Sequence, residues 1–164
     1  MNTSVHKREI SRDLLIKLTL NEDVYHDGDE MIISIRPTMD CYLTVFNIMH
    51  DNKVMVLLPS RYQEYRYAKK GMTYTIPDKE NMGNQRRVRT YNTTGTPSVR
   101  ESILVIATRH DVDLIEDNFK TADLSEQGKP SGLFRDLLGK IVSIPPNDRA
   151  MAIQSYEIRG RGRK

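Results

Sequence analysis

The stretch that most constrains the fold runs from Cys41 to Pro59, CYLTVFNIMHDNKVMVLLP. It contains two apolar runs, Tyr42 to Met49 and Val54 to Leu58, joined by a polar segment that suits a tight turn. The first run is apolar on both alternating faces, which is typical of a strand covered on both sides. Pro59 cannot donate to a sheet ladder and ends the second run. The sequence therefore predicts a β-hairpin at the centre of the core.

A second run, Ser102 to Thr108, is also apolar on both faces and predicts another central strand. Other short runs alternate between apolar and polar residues and end at Gly, Pro, Asn or Asp. About seven to eight such strands, spaced roughly ten residues apart, favour an antiparallel immunoglobulin-like β-sandwich. A doubly wound fold would need strands alternating with helices, which the first two-thirds of the chain lacks.

The pattern changes near Ser131, a good N-cap residue, after which apolar residues follow helical spacing as far as Ile141. We expect one C-terminal helix at about 131–142, packed on the sheets. The last run, Met151 to Arg159, predicts a final strand, and a break in its alternation near Ser155 indicates a bulge.

At 164 residues the chain predicts one domain. We expect a flexible N-terminal arm at 1–12, a single sandwich domain at 13–159, and a disordered basic tail at 160–164. No apolar run approaches the roughly 20 residues that span a bilayer, so no membrane span is expected. If Met1 is the natural start, a cytoplasmic protein is expected. If the chain belongs to a longer exported protein, we expect the periplasm or cell envelope.

The charge is +3, and four positive residues lie in the last six positions. The rest of the chain is nearly neutral, which argues against a large nucleic-acid footprint. Cys41 is the only cysteine, so an internal disulfide and a thiolate metal site are excluded. Gly-rich phosphate loops and nucleophile-elbow motifs are absent. The sequence predicts no cofactor and no enzyme activity, and it does not indicate an oligomeric state.

Three His-Asp pairs begin at His26, His50 and His110. If strands simply alternate in direction, these turns emerge at one end and the pairs could share a metal ion. The alternative is that His and Asp stabilise turns locally. We favour the second interpretation and predict no metal site, while keeping the three histidines as candidates.

A polar loop after Ser60 carries Tyr62, Tyr65 and Tyr67 beside cationic residues that include Arg61 and Arg66. Aromatic rings next to cations make good recognition surfaces, so these five residues are the predicted binding site. The alternative is that some of the tyrosines cover the end of the sandwich. We expect the cations, Arg66 included, to remain solvated.

Several short motifs occur in a recognisable order. They are Tyr25 with Gly28-Asp29, then Tyr42-Leu43, then Leu57-Leu58-Pro59-Ser60, then Gly71 followed by Ile76-Pro77. The chain resembles a bacterial family of domains of unknown function with the pattern YxxGD, YL, LFPN, G and IP. Leu58 and Ser60 stand where the family has Phe and Asn. The resemblance implies an immunoglobulin-like C-terminal module, appended in relatives to lipoproteins, kinases and caspase-like peptidases, and it supplies no catalytic residues.

The expected function is therefore a non-catalytic interaction module that binds a protein partner or a cell-envelope polymer, through its loops or a sheet edge. Two alternatives remain open. One is a metal-dependent hydrolase that uses the His-Asp turns. The other is a nucleic-acid-binding accessory domain that uses the basic segment near Arg86 and the arginine-rich tail.

Overall fold

A computed structural model describes residues 13–60, 66–78, 88–115 and 121–160. These residues form a mainly β protein with one α-helix, as the sequence predicts. The predicted arm at 1–12 and positions 161–164 of the predicted tail lie outside the described residues. The proposed domain bounds and the immunoglobulin-like arrangement remain predictions.

Strands of the described residues are numbered β1 to β14, and the helix is α1. The longer strands are β1 (Ile16–Leu20), β4 (Ile33–Pro37), β5 (Cys41–Ile48), β6 (Lys53–Leu58), β10 (Ser98–Thr108) and β14 (Arg149–Arg159). The shorter ones are β2 (Val24–His26), β3 (Glu30–Met31), β7 (Tyr67–Ala68), β8 (Tyr74–Ile76), β9 (Val88–Arg89), β11 (Thr121–Asp123), β12 (Ser125–Glu126) and β13 (Lys129–Pro130). The helix α1 spans Gly132–Ser143, and a 3₁₀ turn, Pro146–Asp148, precedes β14. No helix among the described residues is long and apolar enough to cross a membrane.

Two sheets carry the fold. The smaller has the strand order β1-β4-β8, and the larger has the order β11-β6-β5-β10-β14-β2, with β7 also paired to β5. The predicted hairpin is β5 and β6, which pair antiparallel. Strand β10 pairs antiparallel with β5 on one side and with β14 on the other, from Ser98 opposite Arg159 to Thr108 opposite Arg149. The two strands predicted to be central are therefore neighbours in the middle of the larger sheet.

The two sheets enclose one hydrophobic core. Val45 of β5 and Ile103 of β10 are buried in the same cluster as Ile33 and Ile35 of β4. The alternate residues of β5 and β10 point to the other face of the larger sheet. Both strands lack polar alternation because each face of them is covered.

The helix covers that second face. Phe46 and Ile106 of the larger sheet are buried with Leu137 and Ile141 of α1 in a separate cluster. The side chain of Ser131 accepts a hydrogen bond from the backbone N–H of Phe134, which satisfies one of the unpaired donors at the helix start. The predicted helix, its N-cap and its packing on the sheet are confirmed.

The segment from Asn21 to Asp29 is rich in turn-forming residues, yet it contains β2. Tyr25 is completely buried there, and its ring stands edge-on to that of Tyr156 with centroids 5.6 Å apart. Strand β2 pairs parallel with the end of β14, so the larger sheet is mixed rather than purely antiparallel. A three-residue strand is too short to show alternation, which is why the sequence did not reveal it. The turn after β2 uses Gly28 at a φ of 91°, a backbone conformation that glycine adopts without strain.

The bulge predicted near Ser155 is wrong. Strand β14 keeps one continuous register with β10 over its whole length. The alternation breaks because Met151 and Ile153 are apolar residues on an exposed face, while polar Gln154 occupies the same face as buried Tyr156. The irregular sequence pattern therefore marks an unusual surface rather than an unusual backbone.

Candidate functional site

Tyr67 of the predicted binding loop packs against the sheet. Its ring lies edge-on to that of Tyr42, with centroids 5.4 Å apart, and its hydroxyl donates to Oδ2 of Asp40 at 3.1 Å. The backbone N–H of Lys70 and this hydroxyl hold the pKa of Asp40 below its ordinary value. Tyr67 therefore anchors the end of the loop.

Arg66 is also held by the fold, and the expectation that it stays solvated is wrong. Its side chain is only 16 % exposed and forms an ion pair with Asp111. The guanidinium also donates to the carbonyl oxygen of Val112 at 3.3 Å. An arginine that satisfies a carboxylate and a carbonyl together has a geometric reason to remain buried. The other predicted site residues of this loop, Arg61, Tyr62 and Tyr65, lie outside the described residues.

The three candidate histidines do not converge. His50 follows β5 at the end of the sheet where β10 begins, whereas His110 follows β10 at the opposite end. His26 lies opposite Arg159 at the same end of the sheet as His50, but on β2, three strand positions away from β5. The assumption of simply alternating strands fails because β5 and β10 are antiparallel neighbours. Among the described residues, no group of three His, Cys, Asp or Glu side chains is placed to hold a metal ion.

His50 belongs instead to a polar cluster built on Glu101, which we did not identify from the sequence. Glu101 is 7 % exposed, and its Oε2 lies 2.5 Å from Nδ1 of His50 and accepts from the His50 backbone N–H at 3.0 Å. The hydroxyl of Tyr156 lies 3.1 Å from Oε1 of Glu101 and 2.9 Å from Oδ1 of Asn47. These contacts join β5, β10 and β14, so the cluster ties three strands of the larger sheet together.

Burial keeps the two packed tyrosines neutral. Desolvation raises the pKa of Tyr25 to about 12. Desolvation, reinforced by the negative charge of Glu101, raises the pKa of Tyr156 still further above its ordinary value. Both hydroxyls therefore stay protonated, as hydrogen-bond donors within the core, further into the alkaline range than an exposed tyrosine does.

The basic segment considered for nucleic acid lies partly within the described residues. Arg89 of β9 pairs with Glu30 of β3 at 3.4 Å, and Arg159 of β14 lies 3.5 Å from the carboxylate of Glu157. Each of these cations thus has a neighbouring carboxylate that offsets its charge. The remaining cations of the segment, Arg86 and Arg87, lie outside the described residues.

The outer edge of β14 is paired only at its end. There the N–H of Glu157 donates to the carbonyl of Asp23 at 3.1 Å, and the carbonyl of Arg159 accepts from the N–H of Asp27 at 3.0 Å. Strand β2 pairs with β14 over these last three residues and no further. Glu157 and Arg159 therefore direct their backbone groups away from β10, toward β2.

The regular alternation of an antiparallel strand also determines which edge the backbone groups of the residues before Glu157 face. In an antiparallel pair the backbone groups of successive residues point to opposite edges, so every second residue before Glu157 also points outward. These outward residues are Arg149, Met151, Ile153 and Ser155. In the described part of the chain no strand pairs with this stretch. The Ser155 carbonyl accepts from the side-chain amide of Gln154 at 3.1 Å, a local contact that an incoming strand can replace.

The open stretch lacks the usual protection of a sheet edge. Natural edges carry charges, prolines, bulges or short strands that prevent pairing with another chain. Residues 150–156, AMAIQSY, contain no charged residue, glycine or proline. Met151 and Ile153 are 51 % and 62 % exposed on the outer part of the helix-bearing face. The uncharged run could be read from the sequence, but its position at an edge could not.

Other edges of the two sheets are protected among the described residues. Strand β1 carries exposed Lys17 at its second position. Strands β8 and β11 have three residues each, and Pro77 directly follows β8. Strand β11 covers Lys53 to Met55 of β6, and only three further residues of β6 remain before Pro59. The edge of β14 is thus the long edge of the described fold, uncharged from Ala150 to Tyr156, and it is the candidate interaction site.

Comparison with known proteins identifies the family. Searches of curated proteins and of solved structures found no match. A family model described as Domain of unknown function (DUF4384) matches residues 24–111, which is more than half of the 164 residues. The matched segment begins at β2 and ends just after β10, so it includes the central hairpin and its neighbour. The chain therefore belongs to the DUF4384 family of domains of unknown function.

Proposed function

We propose that this domain is a non-catalytic protein-interaction module that binds an extended segment of a polypeptide along the open edge of β14. The observation that carries the proposal is the run of outward backbone groups from Arg149 to Ser155, which has no strand partner among the described residues. Unpaired edges of this kind accept an added strand, and the main-chain hydrogen bonds then supply affinity.

The spacing of these groups favours a polypeptide over an envelope polymer. Outward N–H and C=O groups recur at every second residue, a repeat of about 7 Å along the strand. Another extended backbone offers donors and acceptors at the same repeat, and the hydroxyl groups of a polysaccharide do not. A protein partner is therefore the better chemical match.

The strand is already in its binding conformation. Pairing with β10 runs along its entire length, so an incoming strand meets a fixed row of donors and acceptors. A preorganised surface loses less conformational entropy on binding than a loop that must first become ordered. Exposed Met151 and Ile153 add apolar contacts on one face and can select the side chains of the partner.

A non-catalytic role is supported by how the polar side chains are used. His50 and Tyr156 each contact Glu101 between strands, and Arg66 is engaged with Asp111 and Val112. Groups held in this way hold the sheet and its loops together. Covalent catalysis would instead need a nucleophile beside a base that is free to accept its proton.

Selection of displayed random peptides on the immobilised domain tests the proposal. We expect peptides with alternating apolar residues that bind wild type and bind Ile153→Lys about tenfold more weakly, since one apolar anchor is worth more than 1 kcal/mol. Val142→Lys is the matched control, because Val142 is equally apolar and 71 % exposed but lies on α1. It should bind like wild type.

A second variant tests the backbone contribution. Ile153→Pro removes an outward N–H but leaves the inward bonds to β10, and proline is tolerated on an edge strand when its nitrogen faces solvent. We expect it to remain folded and to bind the selected peptides weakly. Selected peptides that bind Ile153→Lys and Ile153→Pro as tightly as wild type would contradict the proposal.

A further inference from the structure

We propose that the strand which fits this edge is β14 of a second copy of the chain, in an antiparallel dimer whose two-fold axis passes beside Ala152. The inference rests on the proposed function, because it names the partner of the same edge. The dimer joins the larger sheets of the two copies into one continuous sheet.

The length of the open stretch sets the register. Pairing beyond Ser155 is blocked because β2 already occupies the edge opposite Glu157, and the 3₁₀ turn ends just before Arg149. The midpoint of the open residues 149–155 is Ala152. A two-fold axis there places Arg149 opposite Ser155 of the second copy.

The backbone directions agree with this register. Residues opposite each other in an antiparallel pair must both point toward the partner or both point away. With the axis at Ala152, the outward residue Met151 meets the outward residue Ile153 of the second copy. All outward groups of the open stretch are then used, and about eight inter-strand hydrogen bonds form. A register centred on Ile153 would require Glu157, whose N–H is already bonded to Asp23.

The side chains also match. Leu104 and Ile106 of β10 pack on the helix-side cluster, and their cross-strand neighbours on β14 are Ile153 and Met151. Ile153 and Met151 are not part of this cluster and remain exposed. In the dimer, Ile153 packs against Met151 of the second copy, and the apolar stripe continues from one subunit into the other. Such cross-strand pairs stabilise antiparallel sheets.

Charge does not oppose this pairing. Arg149 is the only charged residue of the open stretch 149–155, and the register places it opposite uncharged Ser155. On the other face of the sheet, Ala152 meets Ala152 of the second copy, so two small side chains lie at the axis. The edge is self-complementary, as a two-fold interface must be.

A disulfide across the axis tests the register. Opposite residues that point away from each other in an antiparallel pair have Cα atoms about 4.5 Å apart, which a disulfide can bridge. Ala152→Cys should therefore form a covalent dimer under mild oxidation. Ser155→Cys is the control. Position 155 is more exposed than position 152, but in this register it lies about 20 Å from position 155 of the second copy. The native Cys41 is completely buried and should not interfere.

Sedimentation of the uncross-linked chain tests the dimer itself. Wild type and Val142→Lys should show a mass that rises toward the dimer with concentration, and Ile153→Lys should remain a folded monomer by circular dichroism. A second cross-link, from the double variant Ala150→Cys, Gln154→Cys, checks the same register independently.

The inference is overturned if wild type is monomeric at every concentration, if Ile153→Lys dimerises like wild type, or if Ser155→Cys cross-links as readily as Ala152→Cys. A monomer that still binds selected peptides at Ile153 would overturn only this inference and leave the proposed function standing. A dimer that forms through another surface would overturn it as well.

Discussion

Replacing Tyr156 with phenylalanine removes one hydroxyl from the polar cluster and leaves the ring in place. That hydroxyl is the side-chain donor to Oε1 of Glu101 among the described residues, at 3.1 Å. Glu101 is buried, so water cannot easily take over the bond. The ring contact with Tyr25 does not depend on the hydroxyl. The substitution therefore removes the hydrogen bonding of one hydroxyl, which lies between Oε1 of Glu101 and Oδ1 of Asn47, and keeps the packing of the ring.

The expected loss is about 2 kcal/mol in the free energy of unfolding, because hydrogen bonds to charged groups contribute about 1.5–3 kcal/mol. Tyr25→Phe is the matched control. Its hydroxyl is bonded to the neutral side-chain oxygen of Asn21 at 2.7 Å, and we expect a loss of about 1 kcal/mol. The two rings pack against each other. Tyr25→Phe also removes the acceptor of the Glu22 backbone N–H, and both partners of the Tyr25 hydroxyl are neutral. Tyr156→Phe instead takes a partner from a buried carboxylate.

Urea unfolding followed by circular dichroism measures both losses. With a slope near 2 kcal/mol per molar urea, Tyr156→Phe should lower the midpoint by about 1 M and leave the slope unchanged. Tyr25→Phe should lower it by about half as much. A Tyr156→Phe midpoint equal to that of wild type, or a larger effect of Tyr25→Phe, would refute the structural role assigned to the cluster.

Three further predictions concern the rest of the fold. Val45→Asp should abolish cooperative unfolding, because a buried unpaired charge costs several kcal/mol; a folded, cooperative variant would contradict its central position. Arg66→Met should lower the unfolding free energy by about 1–2 kcal/mol, and the exposed control Lys69→Met by less than about 0.5, both measured by urea unfolding. Burial raises the pKa of Cys41 from 9.0 to about 12, so its stabilising effect is complete below about pH 9 and declines as the pH rises toward 12. The urea midpoint of wild type should then fall from pH 9 to 11 more steeply than that of Cys41→Ala, and equal slopes would contradict this.

The central strands could be predicted from the sequence because their physical cause is local. Cys41 to Ile48 and Ser102 to Thr108 are apolar on both faces because each face packs against a separate core cluster. The apolar run within each segment is enough to indicate this burial. The helix could be predicted for the same reason, with Ser131 as its cap and apolar residues at helical spacing. Family membership could also be predicted, from a resemblance based on short motifs around these strands, and the family model that matches residues 24–111 confirms the family.

The remaining features depend on contacts between distant residues. Arg66 is largely covered because Asp111, which is 45 positions later, supplies its counter-charge. Tyr25 enters the core because β2 pairs with a strand from the other end of the chain. Glu101 lies just before the predicted strand Ser102 to Thr108, and its buried place in β10 is explained only by its contacts with His50 and Tyr156. The edge site likewise depends on the order of strands in the sheet, and no local sequence pattern predicts that order.

Hydrogen exchange at the backbone amides of β14 tests the central claim most directly. At low concentration we predict fast exchange at the outward amides of Met151, Ile153 and Ser155, and slow exchange at the inward amides of Ala152 and Gln154, which bond to β10. When a selected peptide or a second copy binds, the three outward amides should become protected and the inward ones should change little. Outward amides that are already protected at low concentration, or that stay unprotected in the bound state, would contradict the account.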